Sequence, residues 1–414
     1  MSDQQKKFEE DFKAGRDISY RFSTLQKVFL GLQHTFAMLG ATVLVPVLTG
    51  LSVSATLFAV GVGTLIFHWF TKLRVPGFLG SSFAFIAPIV LAAEQLSLAE
   101  AQAGIMGAGV VYVIVGLIIQ SIGPDRVAKI FPPIVTGPII MIIGLGLAYV
   151  AMENAEGNWG IAALTFLGAV LITMFGKGLL KVIPILGGLV IGYIISVIFG
   201  IVDFSGVAEA SIIGFPGFTL PQFSWQVFLI VTPAAIVSII EHIGDILAIG
   251  NTIDRDMKVD PGIHPTLYGA GVATFLSGLL GGASLTTYGE NIGVLAITRI
   301  YSVFVVSMGA VWAIIMSFLP VVEALVESIP EPVLGGVSIL LYGMIAAVGI
   351  RTLIEGGVSL AVPRNLIIAS TVLIVGVGGV SIELFEGLEL SAMVIAAILA
   401  IVLHQILPEQ DQPS

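Results

Sequence analysis

Hydrophobic residues in this chain run in long blocks and do not alternate with polar positions. Most of the blocks are about 17–22 residues long, enough to cross a hydrocarbon core roughly 30 Å thick as helices. Fourteen such blocks predict an all-α polytopic membrane protein. The first seven are 27–46, 54–70, 79–93, 102–122, 132–151, 159–176 and 181–200. The second seven are 226–249, 266–282, 285–298, 301–320, 332–349, 365–381 and 389–407.

The composition agrees with this interpretation. Of 414 residues, 57% are hydrophobic and 11% are charged, whereas about a quarter are charged in soluble proteins. The net charge of −10, with no basic patch, argues against a nucleic-acid partner. The chain has no cysteine, so disulfides and thiolate metal sites are excluded. Residues 1–26 are polar and predict a cytoplasmic tail with no cleavable signal, and 408–414 predict a second tail.

The lysine and arginine positions predict the orientation. If residues 1–26 are cytoplasmic, all 17 basic residues fall in that tail, at its junction with the first span, or in an inner loop. The outer loops carry only acidic residues among the charged types. A span count wrong by one would destroy this positive-inside bias, so both termini are predicted to be cytoplasmic. The inner-loop basic residues are Lys72, Arg74, Arg126, Lys129, Lys177, Lys181, Arg255, Lys258, Arg299, Arg351 and Arg364.

The two halves of the chain show a faint internal repeat. Gln33-His34 in span 1 matches Glu241-His242 in span 8, and residues 81–85 in span 3 match residues 286–290 in span 10. Seven spans separate the halves, and seven is odd, so the repeats are predicted to be inverted. Secondary transporters of this plan bind substrate near the midplane, where broken segments of the two halves meet. Spans 3 and 10 are short, begin with hydroxyl residues, and are the predicted pair.

Three acidic residues lie inside the predicted spans. Such residues are expensive in the membrane and therefore indicate function. Glu241 and Asp245 are spaced i, i+4 and share one helical face, while Glu290 lies in the short span 10. Carboxylates converging on one cavity cannot all be ionised cheaply, so one is expected to hold a proton. The proton-coupling residues are therefore predicted to be Glu241, Asp245 and Glu290, although packing roles stay open, above all for Asp245.

Other polar and aromatic residues refine the prediction. Phe83, Phe85 and Tyr288 lie in the broken segments and offer faces for a flat heterocycle, with ordinary packing as the alternative. His34 and His242 are expected to be interhelical hydrogen-bonding residues. No two histidines share a helical face and cysteine is absent, so no metal site and no cofactor are expected.

Four strings carry a resemblance to a known family: GLQHTFAM at 31–38, GSSFAFI at 80–86, IEHIG at 240–244 and TTYGENIGVLAITRI at 286–300. They resemble the nucleobase–ascorbate transporter family, in particular its bacterial uracil permease branch, over about residues 20–407. The family signature Asn-x-Gly-x(4)-Thr is met by Asn291, Gly293 and Thr298.

The resemblance implies a fold of two inverted repeats of seven spans, in which short β-strands replace part of spans 3 and 10. It also implies alternating domains and a homodimer in the bacterial cell (inner) membrane. The core domain is predicted at 27–122 (spans 1–4) and 226–320 (spans 8–11). The gate domain is predicted at 132–200 (spans 5–7) and 332–407 (spans 12–14).

The resemblance further implies that a nucleobase is bound by Glu241, Glu290 and the backbone of Phe83 and Gly289, with Tyr288 beside it. Purine and xanthine members usually carry glutamine at the position of Glu290, so uracil is favoured. At the position of Asp245, a uracil permease that this chain resembles has histidine, and the coupling detail depends on this departure. Supporting roles are expected for Gln33, His34, His242, Asn291 and Thr298.

The predicted function is uracil import in symport with protons by an elevator-like movement, with surrounding lipid and no enzymatic activity. A purine, xanthine or other nucleobase symporter of the same fold is the alternative. An anion exchanger would require a positive site, and the two glutamates argue against it. An intramembrane hydrolase lacks a nucleophile–base arrangement in the sequence, and a passive channel does not need proton-binding carboxylates beside a broken helix.

Overall fold

The computed structural model of the chain describes residues 17–123, 126, 129–379, 381–385 and 388–408, and the outer parts of both predicted tails lie outside them. The helices of the first half are α1 (Thr24–Thr49), α2 (Val53–Phe70), α3 (Ile86–Gln95), α4 (Leu98–Ile122), α5 (Pro133–Gly146), α6 (Ala148–Glu156), α7 (Trp159–Phe175), α8 (Pro184–Ile198) and the short α9 (Ser205–Glu209). Those of the second half are α10 (Trp225–Ile230), α11 (Ala234–Ile253), α12 (Ile263–Leu280), α13 (Gly289–Thr298), α14 (Val303–Ser317), α15 (Pro320–Glu327), α16 (Glu331–Glu355), α17 (Pro363–Val377) and α18 (Ala392–Ile406).

Each of the fourteen predicted blocks contains a helix. Within the described residues, six helices are long and apolar enough to cross a membrane, with α5 and α6 taken together, and the bent pair α14 and α15 brings the number to seven. Shorter apolar helices, α3, α7, α8, α17 and α18, occupy other predicted blocks. The chain is therefore a mostly helical, multi-pass membrane protein.

Some predicted spans differ from the helices in detail. The block 132–151 is two helices that meet at Leu147, and the second continues to Glu156. After α14 the chain turns by 83° into α15, which begins at Pro320. Proline has no N–H to donate and is therefore favoured in the first turn of a new helix. The predicted outer loop beyond α17 contains a pair of antiparallel strands, β3 (Ile382–Phe385) and β4 (Leu388–Leu390).

Two very short strands lie at the centre of the molecule. Strand β1 (Leu79–Ser81) pairs antiparallel with β2 (Leu285–Thr287), with Gly80 opposite Thr286. Two more backbone bonds extend the ladder, from Ser82 N–H to the Ser284 carbonyl (2.8 Å) and from Tyr288 N–H to the Phe78 carbonyl (3.0 Å). The strands are buried, and non-helical backbone at such depth must satisfy its polar groups internally. Strands β1 and β2, one from each half of the chain, satisfy the backbone polar groups of each other.

The helices pack in two groups. In the first group, α12 packs on α2 and α4, and α14 packs on α1 and α2. In the second group, α16 packs on α5, α6 and α7, α8 on α7, and α17 on α5 and α18. Helix α11 also contacts α5 and α18 of the second group.

Small residues allow the close crossings within these groups. A Cβ at Gly109 of α4 would lie 2.6 Å from the Gly271 carbonyl oxygen of α12, and one at Gly271 would lie 2.8 Å from the Gly109 carbonyl oxygen. Helix association in lipid depends on such close backbone approach, because the hydrophobic effect gives little drive there.

One ion-pair cluster ties the loop between α11 and α12 to the end of α2. Asp260 contacts the guanidinium groups of Arg74 and Arg255, the latter at 2.9 Å. Arg255 also donates to the Arg74 carbonyl (3.0 Å). The hydrogen bond from Arg74, with that from Arg255, lowers the pKa of the Asp260 carboxyl below its usual range. The ionised form therefore stabilises the fold above the ordinary aspartate pKa, and this contribution disappears as pH falls through the lowered value.

We expect Asp260→Asn to lower the melting temperature at pH 7 by only about 1 °C, because solvent screens an exposed pair. The difference from the wild type should vanish in molar salt and at acidic pH. Asp256→Asn is the matched control, since Asp256 lies in the same loop and accepts from the Lys258 N–H (3.0 Å), a bond that asparagine can keep. Thermal unfolding in detergent measures both. A salt-independent loss in Asp260→Asn would show that the ion pairs are not its cause.

Candidate functional site

The two broken segments bring helix N-termini to the middle of the protein. Helix α13 begins at Gly289, directly after β2, and α3 begins at Ile86 after a 3₁₀ turn of Phe83–Phe85 that follows β1. Neither Tyr288, at the N-cap of α13, nor Phe85, at that of α3, caps its helix with a side chain. Among the described residues, the first N–H groups of α13 remain available as donors, whereas the Ile86 N–H at the start of α3 donates to the Phe83 carbonyl. The helix dipole favours electron-rich groups at such a start.

The predicted carboxylates gather beside these helix starts. Glu241 and Asp245 lie one turn apart on α11, and Glu290 is in the first turn of α13. All three are half-buried, and they lie within electrostatic range of one another. The Oε2 atom of Glu241 is buried and has no hydrogen-bond partner within the described part of the chain. A buried acceptor without a partner is costly, so Glu241 is suited to accept from the N–H of a ligand.

Aromatic side chains from both halves border the same place. Tyr288 is buried, and its hydroxyl donates to the Ser81 carbonyl (3.0 Å). Its ring lies against Gly80, where an added Cβ would be 2.6–2.7 Å from the ring carbons. The ring of Phe83 meets that of Tyr342 on α16 edge to face, with centroids 5.9 Å apart. Gly289 is exposed, with open space where its Cβ would be, so a flat molecule can approach the start of α13 here.

Two predicted supporting residues connect α1 to α13. The side-chain nitrogen of Asn291 donates to the His34 carbonyl (3.0 Å) and lies 3.2 Å from His34 Nδ1. His34 Nε2 and the Asn291 side-chain oxygen are buried and find no partner among the residues described. The contact between Asn291 and His34 thus joins α13 to α1. Among the described residues it leaves one nitrogen of His34 and the side-chain oxygen of Asn291 without a hydrogen bond.

The other two supporting residues of these helices lie elsewhere. Gln33 is buried on α1, and within the described ranges its side-chain nitrogen has no partner. Thr298 is at the far end of α13, where its hydroxyl donates to the Val294 carbonyl (2.7 Å) and accepts from the Ile300 N–H (3.3 Å). Eight residues of helix separate it from Glu290, about 12 Å, so Thr298 shapes the helix end and does not reach the site.

Both broken segments are also fastened to α11 by hydroxyl groups. On the β1 side, the Ser82 hydroxyl lies 2.8 Å from that of Ser238, which accepts from the Tyr112 hydroxyl at 2.8 Å. On the β2 side, the Thr287 hydroxyl donates to Asp245 Oδ2 (3.0 Å) and lies 3.3 Å from His242 Nδ1. Ser238, Glu241 and Asp245 thus form one face of α11 that serves both halves of the site.

Sequence reasoning missed several residues that the structure places at the site. Tyr342 was assigned to the gate only as part of an apolar span, and Gly80, Tyr112 and Ser238 received no role. A signal was available for two of them, because Tyr112 and Ser238 are polar residues within apolar blocks. His242 bonds to Thr266 of α12 (3.0 Å) through Nε2, and its Nδ1 lies 3.3 Å from the Thr287 hydroxyl.

Comparison with known proteins identifies the family. Residues 25–384 match the sequence model described as Permease family, the xanthine and uracil permease model. The chain is 43% identical to "Uracil permease" of Bacillus caldolyticus over 411 residues, covering 96% of this chain and 95% of the relative. The chain belongs to the nucleobase–ascorbate transporter family. It is also 41% identical to "Uracil permease" of Escherichia coli K12, covering 93% and 92% of the two chains.

Solved structures of other transporters share the fold. The transmembrane domain of a cyanobacterial bicarbonate transporter, BicA, superposes with a TM-score of 0.60 at 18% identity, covering 90% of this chain and 96% of that one. The murine anion transporter Slc26a9 gives a TM-score of 0.64 at 10% identity, covering 92% and 67%. At these identities only the architecture is comparable. Membership of the nucleobase–ascorbate transporter family makes this chain a membrane permease and not an enzyme.

Proposed function

We propose that the chain imports uracil together with protons across the bacterial cell membrane. The observation that carries this proposal is the buried Oε2 of Glu241, which has no hydrogen-bond partner among the described residues. It lies beside the uncapped start of α13, which carries Glu290. The names of the relatives from Bacillus caldolyticus and Escherichia coli support the substrate.

The chemistry of uracil fits this arrangement. Uracil presents two N–H donors and two carbonyl acceptors around one flat ring. Glu241 and Glu290 accept from the N–H groups, and charge-assisted bonds of this kind are about twice as strong as neutral ones. The backbone N–H groups at Gly289 and around Phe83 donate to the carbonyls, as uncapped helix starts can. Tyr288 and Phe83 pack against the ring.

The three carboxyl groups support the proposal of proton coupling. Glu241, Asp245 and Glu290 repel one another when all are ionised, because they share a half-buried region. A proton taken up with uracil removes one negative charge, and its release inside restores the empty carrier. No cofactor is proposed, and the proton is the coupling ion.

The transport movement is proposed to be elevator-like, within fourteen spans built as two inverted repeats and a homodimeric assembly. The two packing groups of helices support separate core and gate domains at the predicted boundaries. Further support comes from a cavity of about 440 Å³ between α3 and the second group, bordered by Ala87, Glu94, Leu147 and Met393. The cavity supports the proposed movement because it leaves space beside α3. Both termini are proposed to be cytoplasmic.

Uptake of labelled uracil by the purified protein in liposomes tests the proposal. We expect accumulation above the external concentration when the outside is acidic, and only slow equilibration without a pH gradient. Excess unlabelled xanthine or adenine should leave the uptake unchanged. Accumulation driven by sodium at equal pH would refute proton coupling, and uptake of xanthine without uracil would establish the alternative substrate class.

A further inference from the structure

Thr287 occupies an unusual position between two acceptors. Its Oγ1 atom is 3.0 Å from Asp245 Oδ2 and 3.3 Å from His242 Nδ1. A threonine hydroxyl has one proton and can donate to only one partner at a time. Which partner receives it depends on which of the two already carries a proton.

The other side of the His242 ring settles its tautomer. His242 Nε2 lies 3.0 Å from the Thr266 hydroxyl, and that hydroxyl donates its own proton to the Ile263 carbonyl (2.7 Å). Thr266 must therefore accept from His242, so the proton of the neutral ring is on Nε2. Nδ1 is then a bare acceptor, and it faces Thr287.

We propose that the Thr287 hydroxyl changes its hydrogen-bond partner when Asp245 gains or loses a proton, and that this change alters the substrate site. When Asp245 is ionised, Thr287 donates to the carboxylate and His242 Nδ1 receives no proton. When Asp245 is protonated, its O–H donates to Thr287, and Thr287 turns to donate to His242 Nδ1. The protonated state thus closes one chain of bonds from Asp245 through Thr287 and His242 to Thr266.

Thr287 is the last residue of β2, so its hydrogen bonds affect the substrate site that follows it in the chain. Thr287 immediately precedes Tyr288, Gly289 and Glu290, so a change in how it is held moves the residues proposed to bind uracil. This inference deepens the proposed function and rests on it for its physiological meaning. The hydrogen-bond switch itself can be measured without any transport.

Other titratable groups face Asp245 and set the conditions of the switch. Glu241 lies on the same helix, Glu290 on α13 and Tyr112 on α4. Helix α5 contributes no titratable residue to its contact with α11. Helix α18 carries one titratable residue, His404, whose Nε2 lies 3.0 Å from the Lys129 carbonyl. Uracil bound to Glu241 and Glu290 changes the charges that face Asp245, and with them the conditions under which Thr287 changes its partner.

Infrared titration of the purified protein tests the inference directly. The carboxylic C=O band that Asp245→Asn removes reports the protonated fraction of Asp245 as pH is varied. Thr287→Val keeps the shape and removes the donor to the ionised carboxylate, so the band should persist to a pH about one unit higher, a tenfold change in proton affinity. Thr287→Ser should restore the wild-type midpoint. Thr252→Val is the matched control, because in the described part of the chain the Thr252 hydroxyl bonds only the Ala248 carbonyl of its own helix.

Thr266→Val gives a shift of opposite sign. Without Thr266 the proton of His242 can move to Nδ1 and donate to Thr287. This removes the acceptor that Thr287 uses when Asp245 is protonated, and it supports the bond from Thr287 to ionised Asp245. The midpoint should therefore fall. An unchanged midpoint in a folded Thr287→Val protein overturns the inference, and if that variant does not fold, an unchanged or raised midpoint in Thr266→Val overturns it. If the wild type takes up no uracil, yet the Thr287→Val and Thr266→Val variants show both shifts, the proposed function is refuted and the hydrogen-bond switch stands.

Discussion

Replacing Glu290 by glutamine is expected to weaken uracil binding by about a hundredfold. The substitution keeps the shape but removes the charge, and one of the two carboxylate oxygens that can accept from the base becomes an NH₂ donor. A buried donor set against a donor loses the bond and leaves both groups unsatisfied, which is the strongest form of discrimination that a binding site has. Glu241→Gln should act in the same direction. Equilibrium binding of labelled uracil to the detergent-solubilised protein measures both.

Glu355→Gln is the control for this experiment, because Glu355 is exposed at the end of α16. It should bind uracil as the wild type does. Unchanged affinity in Glu290→Gln would remove Glu290 from the site. A gain of xanthine binding in the same variant would instead show that this position selects between pyrimidines and purines.

Gly80→Ala is expected to reduce uracil affinity by about tenfold while the protein remains folded. The added methyl group would lie 2.6–2.7 Å from ring carbons of Tyr288, well inside van der Waals contact. Because the ring is rigid, it must shift as a whole, and its hydroxyl loses the bond to the Ser81 carbonyl. A shift of about 1 Å in a group that positions a ligand is enough for such a loss. Binding and thermal unfolding should be measured on the same sample.

Gly343→Ala is the matched control, since Gly343 is a helix glycine of α16 with nothing within 4 Å of an added Cβ. It should change neither binding nor stability appreciably. If Gly80→Ala binds uracil normally, Tyr288 does not need its observed position. If it unfolds at a much lower temperature, the strand pair itself depends on Gly80.

The carboxylates were predictable because the membrane makes them conspicuous. An ionisable residue in an apolar block requires an explanation, and the i, i+4 spacing of Glu241 and Asp245 places them on one face without knowledge of the fold. The broken spans were predictable for a related reason. Their hydroxyl-rich starts and short lengths do not suit a continuous membrane helix.

The contacts that complete the site were not predictable from pattern alone. Strands of three residues are too short to show alternation, so the register of Leu79 opposite Thr287 leaves no trace in hydropathy. The edge-to-face contact of Phe83 with Tyr342 joins residues far apart in the chain, and it depends on how the two helix groups approach. Hydropathy also does not register the break at Leu147, because an apolar block reads the same with or without a bend.

The β1–β2 pair has a consequence for biosynthesis. The backbone groups of Leu79–Ser81 have no strand partner until Leu285–Thr287 leave the ribosome, about 200 residues later. At roughly 5–20 residues per second this interval lasts about 10–40 s. During it the unpaired edge cannot enter lipid on its own, so the translocation machinery or a water-filled crevice must shelter it. The first half of the chain can therefore insert into the membrane early, but β1 forms its backbone hydrogen bonds only after the second half has been synthesised.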